Sequence, residues 1–303
     1  MKRIATILGL VFAVAACGGG GGTAAPGGSG TAAPGGSGTA AAGSAGASGS
    51  ATPSPSPVPG VSTPESIKEK GKLTCGVKFD VKGFGFRNPT NSQIEGFDAD
   101  ICREIAKKIG VEAELIEAVS ANRIPFLNER RVDLVISTFT INEDRKKQID
   151  FSRPYYIAGQ SILAKKSDTS ITGVESLNGK KVCSATGSTS EKNVREKAPE
   201  AEMVLFPTYT EGALALNDGR CDAVSTDDVI LFGLIDAYPD TELKGEPFTT
   251  ENYGIGMKKD STELKKLVDD ELAAMDADGR FKQLWDKNIG KYTKKEPKLP
   301  PAS

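Results

Sequence analysis

The chain has 303 residues, with 38 Lys and Arg against 40 Asp and Glu, a formal charge of -2, and no histidine. A balance so close to neutral gives no electrostatic case for a nucleic-acid partner. Without histidine the usual general base and the commonest metal ligand are missing, so we expect no metal and no cofactor.

Lys2 and Arg3 precede an apolar run, Ile4 to Ala16, that ends at Cys17. A membrane span needs ~20 apolar residues. This shorter run behind two cations reads as a secretory signal, residues 1–16, to be removed in the mature protein. The VAAC box ending at Cys17 implies a diacylglyceryl lipid on that sulfur and an extracytoplasmic protein anchored to the cell membrane. Residues 17–62 repeat GTAAPGGS at Gly22 and Gly30, with a degenerate copy at Gly38, and carry no charge. Such a segment has little apolar surface to bury and reads as a disordered tether. As a Gly-rich coil it reaches roughly 35 to 40 Å.

From Ser62 and Thr63, which can cap, SIKEKGK reads as a short helix and LTCGVKF (Leu73 to Phe79) as a strand. In FDADICREIAKKIG the residues Ile101, Ile105 and Ile109 share one helical face, and Gly110 closes the helix. EAELIEA is a second strand, NRIPFLNE a short helical stretch and VDLVIS a buried third strand. The loop that follows carries Thr138, Thr140 and, in EDRKK, Arg145. An arginine fork there can hold a carboxylate through two parallel bonds, or be one more solvated cation.

The same order returns: KKVCSA strand, STSEKNVREKA helix, EMVLF strand, TEGALALNDGR helix, CDAVST strand. Asn128, Arg131, Asp133 and Val135 are echoed at the same spacing by Asn217, Arg220, Asp222 and Val224. Two α/β lobes built alike are expected. DDVILFGLIDAYP reads as a helix and FTTENYGIGMKK (Phe248 to Lys259) as one strand. Two amphipathic helices follow, with Leu264, Leu267, Val268, Leu272 and Met275 on one face. In α/β sheets ligands sit outside the carboxyl ends of the strands. Thr138 with Thr140, the segment 186–189 and Asp227 should therefore face one another across a cleft. Gly187, Ser188 and Thr189 open a helix whose free N–H groups favour an anion or a simple cap. Asp227 and Asp228 both follow a strand, and one of them can cap the next helix.

Once Cys17 is assigned to lipid, four cysteines remain, an even number in an exported chain. Cys75 lies in a strand and Cys102 in the next helix, while Cys183 and Cys221 begin neighbouring strands. We expect bridges Cys75–Cys102 and Cys183–Cys221, one per lobe.

The stretch TINEDRKKQIDFSRPYY (Thr140 to Tyr156) resembles the motif of family 3 extracellular solute-binding proteins, the amino-acid receptors of bacterial ABC importers, and the resemblance runs over residues 65–293. It implies an α/β, two-lobed periplasmic-binding-protein-like fold of type II with two hinge-strand crossings. Lobe 1 would comprise 63–157 and 252–293, lobe 2 would comprise 158–251, and 294–303 would form a C-terminal tail. It further implies that Arg145 holds the ligand's α-carboxylate and that Asp227 pairs its ammonium.

In the acidic amino-acid receptors of that family a Ser and an Arg of an S-x-N-R-I-P segment hold the distal carboxylate together with a cation. Here they stand as Ser120, Arg123 and Lys78, with lysine where arginine is more usual. Arg123 can instead support its own loop through backbone carbonyls, and Lys78 can face solvent. Phe84 or Phe86 is expected on the ligand's methylenes or in the core, and Tyr209 within reach of the site. Two cationic clusters and one acid match a dicarboxylic zwitterion. The implied function is a monomeric, lipid-anchored receptor for L-glutamate, or L-aspartate, that delivers it to ABC permease subunits. The alternatives are a glutamine or other polar amino-acid receptor, a sensor subunit, and a dehydratase-type enzyme on the same fold. The missing histidine argues against the enzyme.

Overall fold

The computed structural model describes residues 60–301. The signal, the lipid site Cys17 and nearly all of the tether lie outside the described residues. Helix α1 (Pro64–Lys70) begins on Thr63, whose hydroxyl accepts from the Ser66 N–H while the Ser66 hydroxyl accepts from the Thr63 N–H. These two reciprocal bonds satisfy donors that a helix start leaves open.

Strand β1 (Lys72–Val77) leads into three short strands, β2 (Asp80–Val81), β3 (Gly85–Arg87) and β4 (Ile94–Glu95). They form a small antiparallel sheet that the sequence reading did not anticipate. Its strands are too short to show a period. A side chain at Gly85 would meet the Lys78 carbonyl at 2.3 Å, so glycine lets this sheet lie directly on the end of β1. Helix α2 (Phe97–Ile109), β5 (Glu112–Glu117), α3 (Arg123–Asn128), β6 (Leu134–Val135), the single turn α4 (Glu143–Lys146) and β7 (Ile149–Phe151) follow.

A first crossing, β8 (Tyr156–Ala158), leads to β9 (Gln160–Lys165), β10 (Lys181–Ala185), α5 (Thr189–Lys197), β11 (Glu202–Phe206), α6 (Tyr209–Asn217), β12 (Ala223–Asp227), α7 (Asp228–Ile235) and β13 (Thr241–Lys244). The chain returns through β14 (Glu251–Tyr253) to β15 (Gly256–Lys258), α8 (Thr262–Asp278) and α9 (Arg280–Asn288).

Two five-stranded sheets result, ordered β5-β1-β6-β15-β7 and β11-β10-β12-β9-β13. β1 in one and β10 in the other lie between two parallel neighbours, and an antiparallel strand, β15 or β9, pairs with the far side of β6 or β12. The two crossings pair as a separate antiparallel ribbon, with Tyr253 opposite Tyr156 and Glu251 opposite Ala158. The fold is therefore mixed α/β and two-lobed. FTTENYGIGMKK is two strands rather than one. It breaks at Gly254, where a side chain would meet Ile141 at 2.7 Å, so β14 stays in the crossing and β15 enters the first sheet.

The internal echo has a structural cause. Asn128 ends α3 and Asn217 ends α6. Asp133 accepts from the N–H of Thr74 at 2.9 Å, and Asp222 from that of Lys181 at 2.7 Å. Each aspartate thus ties the start of its strand to the parallel strand beside it, β1 in one sheet and β10 in the other. Both disulfides are present, Cys75–Cys102 and Cys183–Cys221, one in each lobe. Beneath the crossings, Phe84 and Phe97 pack edge to face, and Phe84 also meets Tyr156 and Tyr253 with centroids 5.3 and 5.9 Å away. Residues 294–301 fold back on this region. Leu299 is buried, Arg153 donates to the Pro300 carbonyl, and Lys295 donates to the Ile157 carbonyl of β8.

Candidate functional site

The carboxyl ends of both sheets meet across the crossings, and the first sheet supplies the cations. Lys78 follows β1 and is wholly buried. Its ammonium donates to the Ser120 hydroxyl at 2.9 Å and stands 5.1 Å from the ring centre of Tyr209. Burial draws its pKa down to about 8, against the pull of Asp80.

Arg123 opens α3. Its Nε donates to the Ser120 carbonyl, and its Nη1 donates to those of Ser137 and Thr138 at 3.1 and 3.2 Å. Loop support is thus one of its roles, and Nη2 is left without an acceptor among the described residues.

Arg145 sits in α4, where Asn142 caps its N–H. Its Nη1 donates to the Thr140 carbonyl at 2.7 Å, and Nη2 reaches the Gly187 carbonyl of the opposite lobe at 3.5 Å. Phe139 stands beside both guanidiniums, its ring centre 4.2 Å from the guanidinium carbon of Arg123 and 4.8 Å from that of Arg145. Cation–π attraction over one ring offsets part of the repulsion between the two. Burial holds both below the usual arginine range, to about 10 for Arg123 and about 9 for Arg145, so both stay charged at neutral pH. Among the described residues no carboxylate oxygen lies within 4.0 Å of a nitrogen of Lys78, Arg123 or Arg145.

Thr138 adopts a left-handed backbone, φ 43°, rare for a β-branched residue. Asp98 holds it there. Its Oδ2 accepts from the Thr138 N–H at 2.9 Å, and its Oδ1 accepts from the Tyr155 hydroxyl at 2.8 Å. Asp98 is fully buried, and burial raises its pKa to about 6. Neither Asp98 nor Phe139 stood out in the sequence. An acid in a first helical turn reads as a dipole partner, and a Phe beside a strand reads as core.

On the second lobe, Asp227 ends β12. Its side chain does not cap α7. Asp228, the first residue of α7, accepts from the Val229 N–H at 2.8 Å, and neither aspartate side chain caps the helix. Asp227 instead accepts from the Tyr253 hydroxyl at 2.5 Å through Oδ2, while Oδ1 is buried without a partner among the described residues. Burial and then the charge of Glu251 raise its pKa to about 7.

Ser188 caps α5, accepting from the Glu191 N–H at 3.0 Å. The expectation of free donors at Gly187 and Ser188 is corrected here. The Glu191 carboxylate takes the Gly187 N–H and the Ala185 carbonyl takes that of Ser188, so the open donors begin at Thr189. The Thr189 hydroxyl faces that of Thr140 across the cleft at 3.5 Å. Tyr209 is buried, and its N–H donates to Asp80 of the first lobe at 2.9 Å. Phe84 has no exposed surface and belongs to the aromatic core, the second of its two expected places.

A two-lobed cleft with cations on one wall and an acid on the other is the frame for the comparison with known proteins. The family model for bacterial extracellular solute-binding proteins, family 3, matches residues 73–291. The chain belongs to family 3 of these binding proteins. The family 3 chain is 45% identical over 228 residues to the ABC transporter glutamine-binding protein GlnH of Bacillus subtilis, covering 74% of this chain and 83% of that protein. It is 35% identical over 236 residues to the glutamate-binding protein GluB of Corynebacterium glutamicum, covering 73% and 80%. Among solved structures it resembles an ancestral arginine-binding protein bound to glutamine, with TM-score 0.70 and 38% identity, covering 73% of this chain and 98% of that one. As a family 3 protein it is an extracytoplasmic amino-acid receptor of an ABC importer. Among the described residues no helix is long and apolar enough to cross a membrane.

Proposed function

We propose that this receptor captures L-glutamate, with L-aspartate as a shorter analogue, and hands it to the permease of its importer. The observation that carries the reading is the set of three buried cations without a paired carboxylate, facing an aspartate with an open oxygen. A charge is costly to bury alone, and a ligand that supplies the counter-charge recovers that cost. Arg145 and the Thr138–Thr140 loop would take the α-carboxylate, Asp227 Oδ1 the ammonium, and Lys78 with Ser120 and the open Nη2 of Arg123 the distal carboxylate.

Glutamine is the second reading, favoured by the higher identity to a glutamine-binding protein. Two buried acids also weigh for it. Asp98 and Glu251 add negative charge to the region that the sequence count did not include, which lowers the penalty for a ligand with a neutral side chain. Calorimetry with glutamate, aspartate, glutamine, asparagine and arginine tests the reading. Glutamate should bind tightest and arginine not at all, and a tenfold preference for glutamine would overturn it. The cleft contains no histidine, and the arrangement serves binding rather than bond-making. Lipid attachment at Cys17 completes the proposal, and mass spectrometry of the membrane-extracted protein, showing a diacylglyceryl cysteine at its start, is the check. Co-purification with a permease rather than with a signalling partner would separate transport from sensing.

A further inference from the structure

Among the described residues Glu251 is a buried carboxylate with no cation on it. It lies on the second crossing and is 3% exposed. Its Oε1 accepts from the Asn193 amide and the Thr249 hydroxyl, each at 2.9 Å, and its Oε2 has no partner. The same Asn193 amide donates to the Gln160 side chain at 2.8 Å, and Gln160 donates onward to the Ser190 carbonyl and the Ser225 hydroxyl. One buried network therefore joins the second crossing, the start of β9, the first turns of α5 and strand β12, whose last residue is Asp227. A glutamine at 251 could keep both bonds to Oε1, so hydrogen bonding alone does not account for a charge there.

We propose that Glu251 is a positioning residue that makes amino-acid capture proton-linked: it holds a second buried negative charge behind Asp227, so that Asp227 gives up a proton when the ligand's ammonium arrives. The step is balanced. The O–H bond of the Asp227 carboxyl breaks, its proton leaves to solvent, and the ligand keeps its three N–H bonds and donates to the resulting carboxylate. The proposal rests on Asp227 being the ammonium site.

Charged and titratable groups act on Asp227 from several elements. Glu251 and Tyr253 come from β14 and Asp228 from α7, and Arg123 opposes them from α3. Arg145 of α4, Tyr209 of α6 and Tyr156 of β8 also sense its charge. Burial and the two acids outweigh the arginines, which is the direction a proton on Asp227 requires in the ligand-free protein. Asp98 titrates in the same range from the first lobe, so a variant at Glu251 is needed to sort the two.

The test is calorimetry of glutamate and glutamine binding between pH 5.5 and 8, run in two buffers of different ionisation heat. For one group near pH 7, affinity for both ligands should fall about thirtyfold from pH 8 to 5.5, with close to one proton released per ligand at the acid end. In Glu251→Gln the fall should begin at lower pH, with less proton release at pH 6.5. Proton release measured on the unmutated protein needs no variant to fold. Binding without proton release at any pH, or a Glu251→Gln profile that superimposes on the original, would overturn the proposal. Absence of binding at every pH would instead sink the glutamate reading, and the glutamine one with it.

Discussion

The two walls of the cleft are built from sheets of the same topology, yet they carry opposite chemistry. The first presents Lys78, Arg123 and Arg145, and the second presents Asp227 and the opening turn of α5. One scaffold has been used twice, and the loops after corresponding strands differ in charge. On the proposed reading a zwitterion would bridge the lobes, its carboxylates held by one and its ammonium by the other, so that closure and recognition would be the same event.

The largest effect should come from removing the cation that touches both walls. Arg145→Ala should weaken glutamate and glutamine alike by about 2 to 5 kcal/mol, the range for truncating one partner of a buried charge pair. Calorimetry would read this as loss of binding, and an unchanged Kd would show that the first wall does not hold the α-carboxylate.

The lobes can also be compared by stability. The Cys75–Cys102 and Cys183–Cys221 bridges close loops of 27 and 38 residues. The loop-entropy relation gives about 3.5 and about 4 kcal/mol for them, as upper values. Cys183→Ser with Cys221→Ser should lower the denaturant midpoint slightly more than the matching pair in the first lobe.

Smaller is the split that tests the distal site. Arg123→Ala should cost glutamate about 1 to 3 kcal/mol more than glutamine. Equal losses would mean that its bonds to the Ser120, Ser137 and Thr138 carbonyls are its whole role.

The smallest effect is alkaline. With Lys78 at about 8, glutamate affinity should fall above that pH by up to tenfold per unit while glutamine is spared. The sign for folding is the opposite. A lysine whose pKa is lowered by burial costs stability while it is charged, and the ligand-free protein regains that stability as pH rises from about 8 towards 10.5.

Much of this architecture was legible because it is local. The Ile101, Ile105 and Ile109 stripe, the glycine stops and the turn after VDLVIS depend on neighbours a few residues away. The Asn128 to Val135 echo was visible as spacing, and it proved to mark the same aspartate tie in both sheets. The short strands β2 to β4 were not legible, since two or three residues carry no period. Nor was the break at Gly254, which answers to Ile141, a contact made only by folding.

By itself the sequence determined the order of the longer helices and strands, the pairing of the four cysteines and the candidate arginines, because periodicity, adjacency and residue chemistry act over short range. Tertiary structure alone decided which of Asp227 and Asp228 turns into the cleft, that Asp98 pins Thr138, and that Glu251 sits buried behind the site. The worth of a charge depends on the dielectric around it and on what lies within a few ångströms, and in each of these cases the deciding neighbour is tens of residues away along the chain or belongs to the opposite sheet.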